Sequence, residues 1–149
     1  MKVHLLTILL LVGAALFVPA VSAKIIEEKD GYIVTSGTDS MALSGLSRLS
    51  SASISQGETL WHPTSVSSGY AAFYSDLNWG NPSNSLALTI YPPGSQLGPY
   101  YDSNDGRTDG RITVKIKKST GVPSGTWWSG VYGYSVTGTQ SYTYTAYPY

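Results

Sequence analysis

The sequence contains no cysteine and few charged side chains. Without cysteine, the chain has no disulfide scaffold, no thiolate chemistry and no cysteine-ligated zinc. Basic side chains number nine and acidic side chains nine, so the formal net charge is zero. Proteins that bind nucleic acids neutralise phosphates with an excess of lysine and arginine, which this chain lacks. We therefore expect no nucleic-acid partner.

Long hydrophobic runs are scarce, and the longest lies near the N-terminus over residues 5–17. Lys2, this apolar run and the small residues Val21-Ser22-Ala23 together predict a secretory signal peptide over residues 1–23. The alternative is a retained membrane anchor, but the run is shorter than the roughly 20 residues that span a bilayer. The mature chain is then expected to be secreted or held at the cell surface, with no membrane span.

No window shows a sustained helical period, whereas tyrosine, glycine, serine and threonine are abundant. This composition favours an all-β protein, and strands that recur about every dozen residues between turn residues predict an antiparallel β-sandwich. Residues 24–149 suffice for a single domain. We divide them into residues 24–53, an N-terminal strand or arm whose structure the sequence leaves open, and residues 54–149, the sandwich.

Alternating patterns predict the individual strands. Residues 58–66 contain Pro63, which is tolerated only at a sheet edge or a bulge. Residues 126–134 and 141–147 are predicted to form a closing hairpin joined through Gly138. The side chains predicted to face the core are Ala71, Phe73, Leu77, Trp79, Leu86, Leu88, Ile90, Ile112, Val114 and Ile116.

Four segments follow one another along the chain: ISQGETLWH (54–62), DLNWGNPSNSLALTIYPPG (76–94), GRITVKI (110–116) and SGTWWSGVYGYSVTGTQSYTYTA (124–146). This succession resembles a bacterial or archaeal pre-peptidase C-terminal domain. The resemblance implies a jelly-roll-like sandwich of the kind attached to secreted proteases, some members of which bind calcium, collagen or other polymers. Many members have Asp-Leu-Asp-Leu where this chain has Ser85-Leu86-Ala87-Leu88, so this chain lacks both of those carboxylates.

A turn rich in carboxylates, DSNDGRTDG, follows the predicted strands of the middle of the chain. Calcium takes six to eight oxygen ligands, and Asp102, Asn104, Asp105 and Asp109 could supply several of them. The alternative is a plain turn in which Asn and Asp bond their own backbone and arginines neutralise the charge. Asp76 and Asn78 would add oxygens if this turn folds over them.

Aromatic side chains form the second candidate site. Alternation along residues 126–134 places Trp127, Ser129 and Val131 on one face and Trp128, Gly130, Tyr132 and Tyr134 on the other. Trp128, Tyr132 and Tyr134 could then form an exposed platform for sugar rings or a peptide, because flat aromatics offer large contact area at low entropic cost. The alternative is that they cover a sheet as ordinary packing.

Catalytic signals are weak, and we expect no enzyme activity. His62 is the only histidine after the predicted signal peptide, and no Gly-x-Ser-x-Gly turn exposes a serine nucleophile. The leading hypothesis is a secreted non-catalytic module that binds an extracellular polysaccharide, protein polymer or other surface component, with calcium as its possible stabiliser. The alternatives are a self-associating subunit of an envelope, sheath or matrix, whose partners are copies of itself, and an unrecognised hydrolase.

Overall fold

The structure is a computed structural model of the chain, and it describes residues 23–37 and 48–149. The predicted signal peptide, apart from Ala23, and the part of the arm over residues 38–47 lie outside the described residues. Ten strands and one short 3-10 turn make up the described part. They are β1 (Ile25–Lys29), β2 (Tyr32–Ser36), β3 (Arg48–Ser55), β4 (Thr59–Val66), β5 (Ala72–Asn78), β6 (Ser85–Tyr91), β7 (Leu97–Tyr101), the 3-10 turn (Asp102–Asp105), β8 (Arg111–Lys118), β9 (Gly125–Ser135) and β10 (Thr139–Pro148).

These strands form two antiparallel sheets packed face to face, as the all-β sandwich prediction requires. The six-stranded sheet has the order β1-β2-β8-β5-β10-β3, and the four-stranded sheet has the order β4-β9-β6-β7. The strands β3 to β10, split four and four in this order, form a jelly roll. The arm whose structure the sequence left open contributes β1, β2 and most of β3 to the six-stranded sheet.

The core lies between the sheets, where each strand directs alternate side chains inward. Leu86, Leu88 and Ile90 of β6 are fully buried, and the predicted inward residues of β8 are buried too. Trp127 of β9 stacks on Phe73 of the opposite sheet, with ring centroids 4.4 Å apart. The prediction of which side chains of β6 and β8 face the core is therefore confirmed.

The predicted closing hairpin is wrong. Although β9 and β10 are consecutive, β9 pairs with β4 and β6, whereas β10 pairs with β3 and β5 in the other sheet. In a jelly roll, the chain crosses between sheets at such a connection, so the turn around Gly138 is a sheet-to-sheet corner. Pro63 does lie in an edge strand, because β4 ends the four-stranded sheet.

Ala71 is exposed, which contradicts its predicted place in the core. The amides of Ala71 and Ala72 both donate to the carbonyl oxygen of Tyr149, each at 3.0 Å. Two residues opposite one is the geometry of a β-bulge, which interrupts the alternation of side chains at that point. The regular alternation of β5 begins only after Ala71.

Candidate functional site

The acidic turn is organised around the carboxylate of Asp102, which is buried. This carboxylate accepts hydrogen bonds from the backbone N–H groups of Asp109 (3.2 Å), Gly110 (2.9 Å) and Arg111 (3.3 Å). Three backbone donors satisfy a buried carboxylate without a metal ion. Asp102 therefore fastens the 3-10 turn to the start of β8.

Two of the other predicted calcium ligands, Asn104 and Asp105, also bond the local backbone. The side-chain oxygen of Asn104 accepts from the N–H of Tyr101, and a carboxylate oxygen of Asp105 accepts from the N–H of Arg107 at 2.8 Å. These contacts have the geometry of an Asx-rich turn. Over residues 23–37 and 48–149, no three His, Asp or Glu side chains lie close enough to hold a metal ion together. Calcium binding by Asp102, Asn104, Asp105 and Asp109 stays a prediction.

Asp76, the residue considered as an additional oxygen donor, already has a strong partner. Its carboxylate accepts two hydrogen bonds from Arg111, at 2.8 Å from Nε and 3.0 Å from Nη2, and one from the hydroxyl of Thr113 at 3.1 Å. Such a two-point pair is stronger and more directional than a single ionic contact. Asp76 therefore belongs to a polar cluster on the outer face of the six-stranded sheet.

The aromatic residues of β9 lie as the alternation predicts. Trp127, Ser129 and Val131 are fully buried between the sheets, whereas Trp128, Tyr132 and Tyr134 are exposed on the outer face of the four-stranded sheet. Two adjacent tryptophans thus have opposite environments, one in the core and one at the surface.

Other strands of this sheet add aromatic side chains to the same surface. Trp61 of β4 lies across the backbone of β9 at Gly130, where an added Cβ would come within 3.1 Å of the indole. The indole reaches Tyr91 of β6, with centroids 5.4 Å apart. Because β9 lies between β4 and β6, the absence of a side chain at Gly130 lets one aromatic ring cross the central strand.

A second aromatic pair lies toward the other end of the sheet. Tyr101 of β7 contacts Tyr134 of β9 edge to face, with ring centroids 5.0 Å apart. Tyr132 lies between the two pairs and is opposite Thr59 on one side and Ala87 on the other. We call this surface the aromatic face; its members are Trp61, Tyr91, Tyr101, Trp128, Tyr132 and Tyr134.

Sequence reasoning found three members of the aromatic face and missed Trp61, Tyr91 and Tyr101. The signal was present in the alternation of the neighbouring strands. Leu88 and Ile90 point inward, so Tyr91 must point outward, and in β4 Leu60 packs against the core while Trp61 faces away from it. Only the pairing of β4 and β6 with β9, and of β7 with β6, shows that these residues share one surface.

The aromatic face lies on a sheet without formal charge. None of the residues of β4, β6, β7 or β9 is Asp, Glu, Lys or Arg. Hydroxyl groups accompany the rings, since Thr89 is opposite Gly130 and Thr59 is opposite Tyr132. The outer face of the six-stranded sheet differs sharply, because Asp76, Arg111 and the lysines of β8 lie there.

His62 lies at a seam between the two sheets, beside a cavity of about 180 Å³. Its Nδ1 is 3.1 Å from the hydroxyl of Ser50 in β3, and its Nε2 is 2.8 Å from the hydroxyl of Tyr142 in β10. Burial lowers the pKa of the imidazole below its ordinary value of 6.5. These two hydrogen bonds of the imidazole thus connect the edge strand β4 to the six-stranded sheet.

A chain of buried hydroxyls also joins the two sheets. Ser75 of β5 donates to the hydroxyl of Tyr144 at 2.9 Å, and Tyr144 donates to Ser129 of β9 at 2.6 Å. Desolvation raises the pKa of Tyr144 to about 12, so the phenol keeps its proton at neutral pH. Buried hydroxyls that are all hydrogen-bonded contribute to a unique alignment of the sheets.

Comparisons with known proteins leave the family open. No protein-family model matches the chain, and no curated protein matches it. Among solved structures, a periplasmic lysozyme inhibitor of g-type lysozyme from Aeromonas hydrophila, PliG, matches with a TM-score of 0.44 and 18% identity. The match covers 74% of this chain and 92% of that chain. No helix long and apolar enough for a membrane span occurs among the residues that the structure describes.

Proposed function

We propose that this protein is a non-catalytic binding module that holds an extracellular polymer on its aromatic face. The observation that carries the proposal is the exposure of Trp61, Trp128, Tyr132 and Tyr134 together on one sheet. Large aromatic side chains clustered at a protein surface mark sites of interaction. An isolated exposed aromatic needs no such explanation, but four on adjoining strands, beside the partly exposed Tyr91 and Tyr101, do.

The chemistry of the aromatic face favours an uncharged polysaccharide. An anionic polymer would need lysine or arginine beside it, and the four strands of this sheet carry no charged side chain. The rings of Trp61 and Trp128 can cover the apolar faces of sugar rings, while the hydroxyls of Thr59 and Thr89 can bond sugar hydroxyls.

The dimensions of the aromatic face suit a long ligand. Trp128 and Tyr134 are six residues apart on one strand, which corresponds to roughly 20 Å at the rise of a β-strand. Three strands carry rings beside this row, so the face is broad rather than grooved. A repeating polymer can contact several rings in succession, and many weak contacts then add to a useful affinity.

The proposed location follows from the N-terminal sequence. Lys2, the apolar run over residues 5–17 and the small residues 21–23 support export of the chain to the periplasm, the cell surface or the medium. Likeness to pre-peptidase C-terminal domains supports the same location. Calcium at the acidic turn would be a separate, stabilising feature of such a module.

The test is depletion of the protein from solution by insoluble polymers. Cellulose, chitin and mannan serve as uncharged probes, pectate as an anionic probe and collagen as a protein probe, each at low and high salt. We expect binding to at least one uncharged polysaccharide, unchanged by salt because no charge pairs are involved. Binding to pectate alone would contradict the uncharged ligand, and binding to none of the probes would contradict the function.

Variants locate the binding surface. Trp128→Ala and Trp61→Ala each remove an exposed ring and are expected to weaken binding at least tenfold, about 1.4 kcal/mol, with little change in thermal unfolding. Tyr70→Ala is the matched control, because Tyr70 is also exposed but lies outside the four-stranded sheet. If Trp128→Ala and Trp61→Ala bind the polymer as tightly as Tyr70→Ala does, the polymer binds elsewhere on the protein.

A further inference from the structure

The four edge strands of the sandwich differ in how they resist pairing with another protein. β1 carries Glu27, Glu28 and Lys29, β4 contains Pro63 and β7 contains Pro99. Charged residues and proline are the usual means by which natural sheets block unwanted strand addition. From Leu49 to Ser55, β3 has neither, since its sequence there is LSSASIS.

The backbone of β3 also presents regularly spaced hydrogen-bonding groups at the open edge. Ser55 bonds Glu58 through both its N–H and its C=O, on the side away from β10. N–H and C=O groups of alternate residues point the same way along a strand, so those of Leu49, Ser51 and Ser53 face the open edge too. In the part of the chain that the structure describes, no bond to these three backbone positions is found.

We propose that β3 is a dimerisation edge that pairs with β3 of a second copy of this chain. Antiparallel pairing about Ser51 brings Ser51 opposite Ser51 of the second copy and Leu49 opposite Ser53. These pairs all use outward-facing backbone groups, which gives six N–H···O=C bonds between the copies. Self-pairing is possible because the outward positions are symmetric about Ser51.

Side chains do not oppose this pairing. Ser51 and Ser53 are small, exposed and uncharged, and Leu49 is among the most exposed apolar side chains described, at 67%. In the pair, Leu49 lies beside Ser53 of the second copy and loses contact with water, which is favourable. Directly opposite like charges would destabilise such a pair, and none is present between Leu49 and Ser55.

The symmetry of the pairing determines the oligomeric state that forms. A strand that pairs with its own copy about a two-fold axis forms a closed dimer, since the edge is used on both molecules. The two six-stranded sheets become one twelve-stranded sheet. The axis runs perpendicular to the sheets, so both aromatic faces lie on the same side of the dimer.

Charge substitutions at Ser51 test the register. In the dimer, Ser51→Glu brings two carboxylates together and Ser51→Lys two ammonium groups, so each variant alone is expected to have a dimer dissociation constant at least tenfold higher than the unmodified chain. An equimolar mixture of the two variants restores opposite charges and is expected to dimerise again. Sedimentation equilibrium over a range of protein concentrations measures all of these states.

Ser141→Glu is the matched control. Ser141 is opposite Ser53 in the neighbouring strand β10 and is exposed on the same face, but its backbone lies within the sheet. This variant has the same added charge as Ser51→Glu and is expected to dimerise like the unmodified chain. A monomeric unmodified chain at every soluble concentration, or a mixture of Ser51→Glu and Ser51→Lys that stays monomeric, would overturn the proposal.

Discussion

At the scale of single residues, Tyr144 joins the two sheets through its hydroxyl. Ser75 and Ser129, its two partners, are both fully buried. Tyr144→Phe keeps the ring but leaves these two hydroxyls without their phenol partner. A buried polar group that loses its partner costs about 1–3 kcal/mol, so we expect a loss of this size in the free energy of unfolding, measured with urea.

The control for this substitution is Tyr70→Phe. Tyr70 is exposed, and the loss of a solvated hydroxyl is expected to change stability by less than about 0.5 kcal/mol. If Tyr144→Phe were as stable as the control, the hydroxyl chain would contribute nothing to the alignment of the sheets.

His62 makes stability depend on pH. In the unfolded chain it titrates near 6.5, and burial lowers its pKa in the folded protein. Between the two pKa values the unfolded state binds more protons, so stability rises with pH through this window and falls as the pH drops below about 6.5. Urea unfolding at a series of pH values measures this slope.

His62→Gln separates this effect from the titration of carboxylates. The variant is expected to lose the part of the slope that lies just below pH 6.5 and to keep the acid limb at lower pH. An identical pH profile in both proteins would show that His62 does not couple protonation to folding.

At the scale of elements, the carboxylates of the acidic turn are expected to differ in role. Asp105 and Asp109 are predicted calcium ligands, whereas Asp102 holds the backbone of the turn. If calcium binds, chelation is expected to lower the melting temperature, and Asp105→Ala combined with Asp109→Ala is expected to abolish that effect. Asp102→Ala is expected to destabilise the protein with or without calcium, because its carboxylate accepts three backbone N–H groups. A melting curve that chelator leaves unchanged would reject the metal site.

Strand faces could be predicted from the sequence wherever the alternation was unbroken. The opposite environments of Trp127 and Trp128 follow from a period of two along β9. Ala71 failed this rule because a bulge interrupts the period there, and a bulge depends on the partner strand. The local sequence therefore determines which side chains of a strand face the same way. The pairing with the neighbouring strand determines at which residue the regular alternation begins.

Strand partners could not be predicted from the sequence, and this limited how much of the aromatic face could be predicted. β9 and β10 look like a hairpin in sequence, but Thr139 pairs with Ser55, a residue far away along the chain. Trp61, Tyr91 and Tyr101 were missed for the same reason, since the pairings that bring them beside β9 are those of β4 and of β6 with β9, which are distant in sequence. Long-range pairing is set by the whole core, which a window of residues does not contain.

At the scale of the whole molecule, the two sheets have different outer surfaces. The four-stranded sheet has rings and hydroxyls, whereas the six-stranded sheet has the Asp76–Arg111 ion pair and the lysines of β8. If the β3 dimer forms, the aromatic faces of both copies could engage one polymer chain. Monomeric Ser51→Glu would then bind an insoluble polymer more weakly than the dimer, with the aromatic face itself unchanged.

The most direct test of the account uses the four tryptophans. Trp61 and Trp128 are 52% and 44% exposed, whereas Trp79 and Trp127 are 6% and 0% exposed. Acrylamide is therefore expected to quench the fluorescence of the first two far more than that of the second two. Addition of a soluble form of an uncharged polysaccharide that binds should protect this quenchable fraction. Polymer binding that leaves the quenching of Trp61 and Trp128 unchanged would contradict the aromatic face as the binding site.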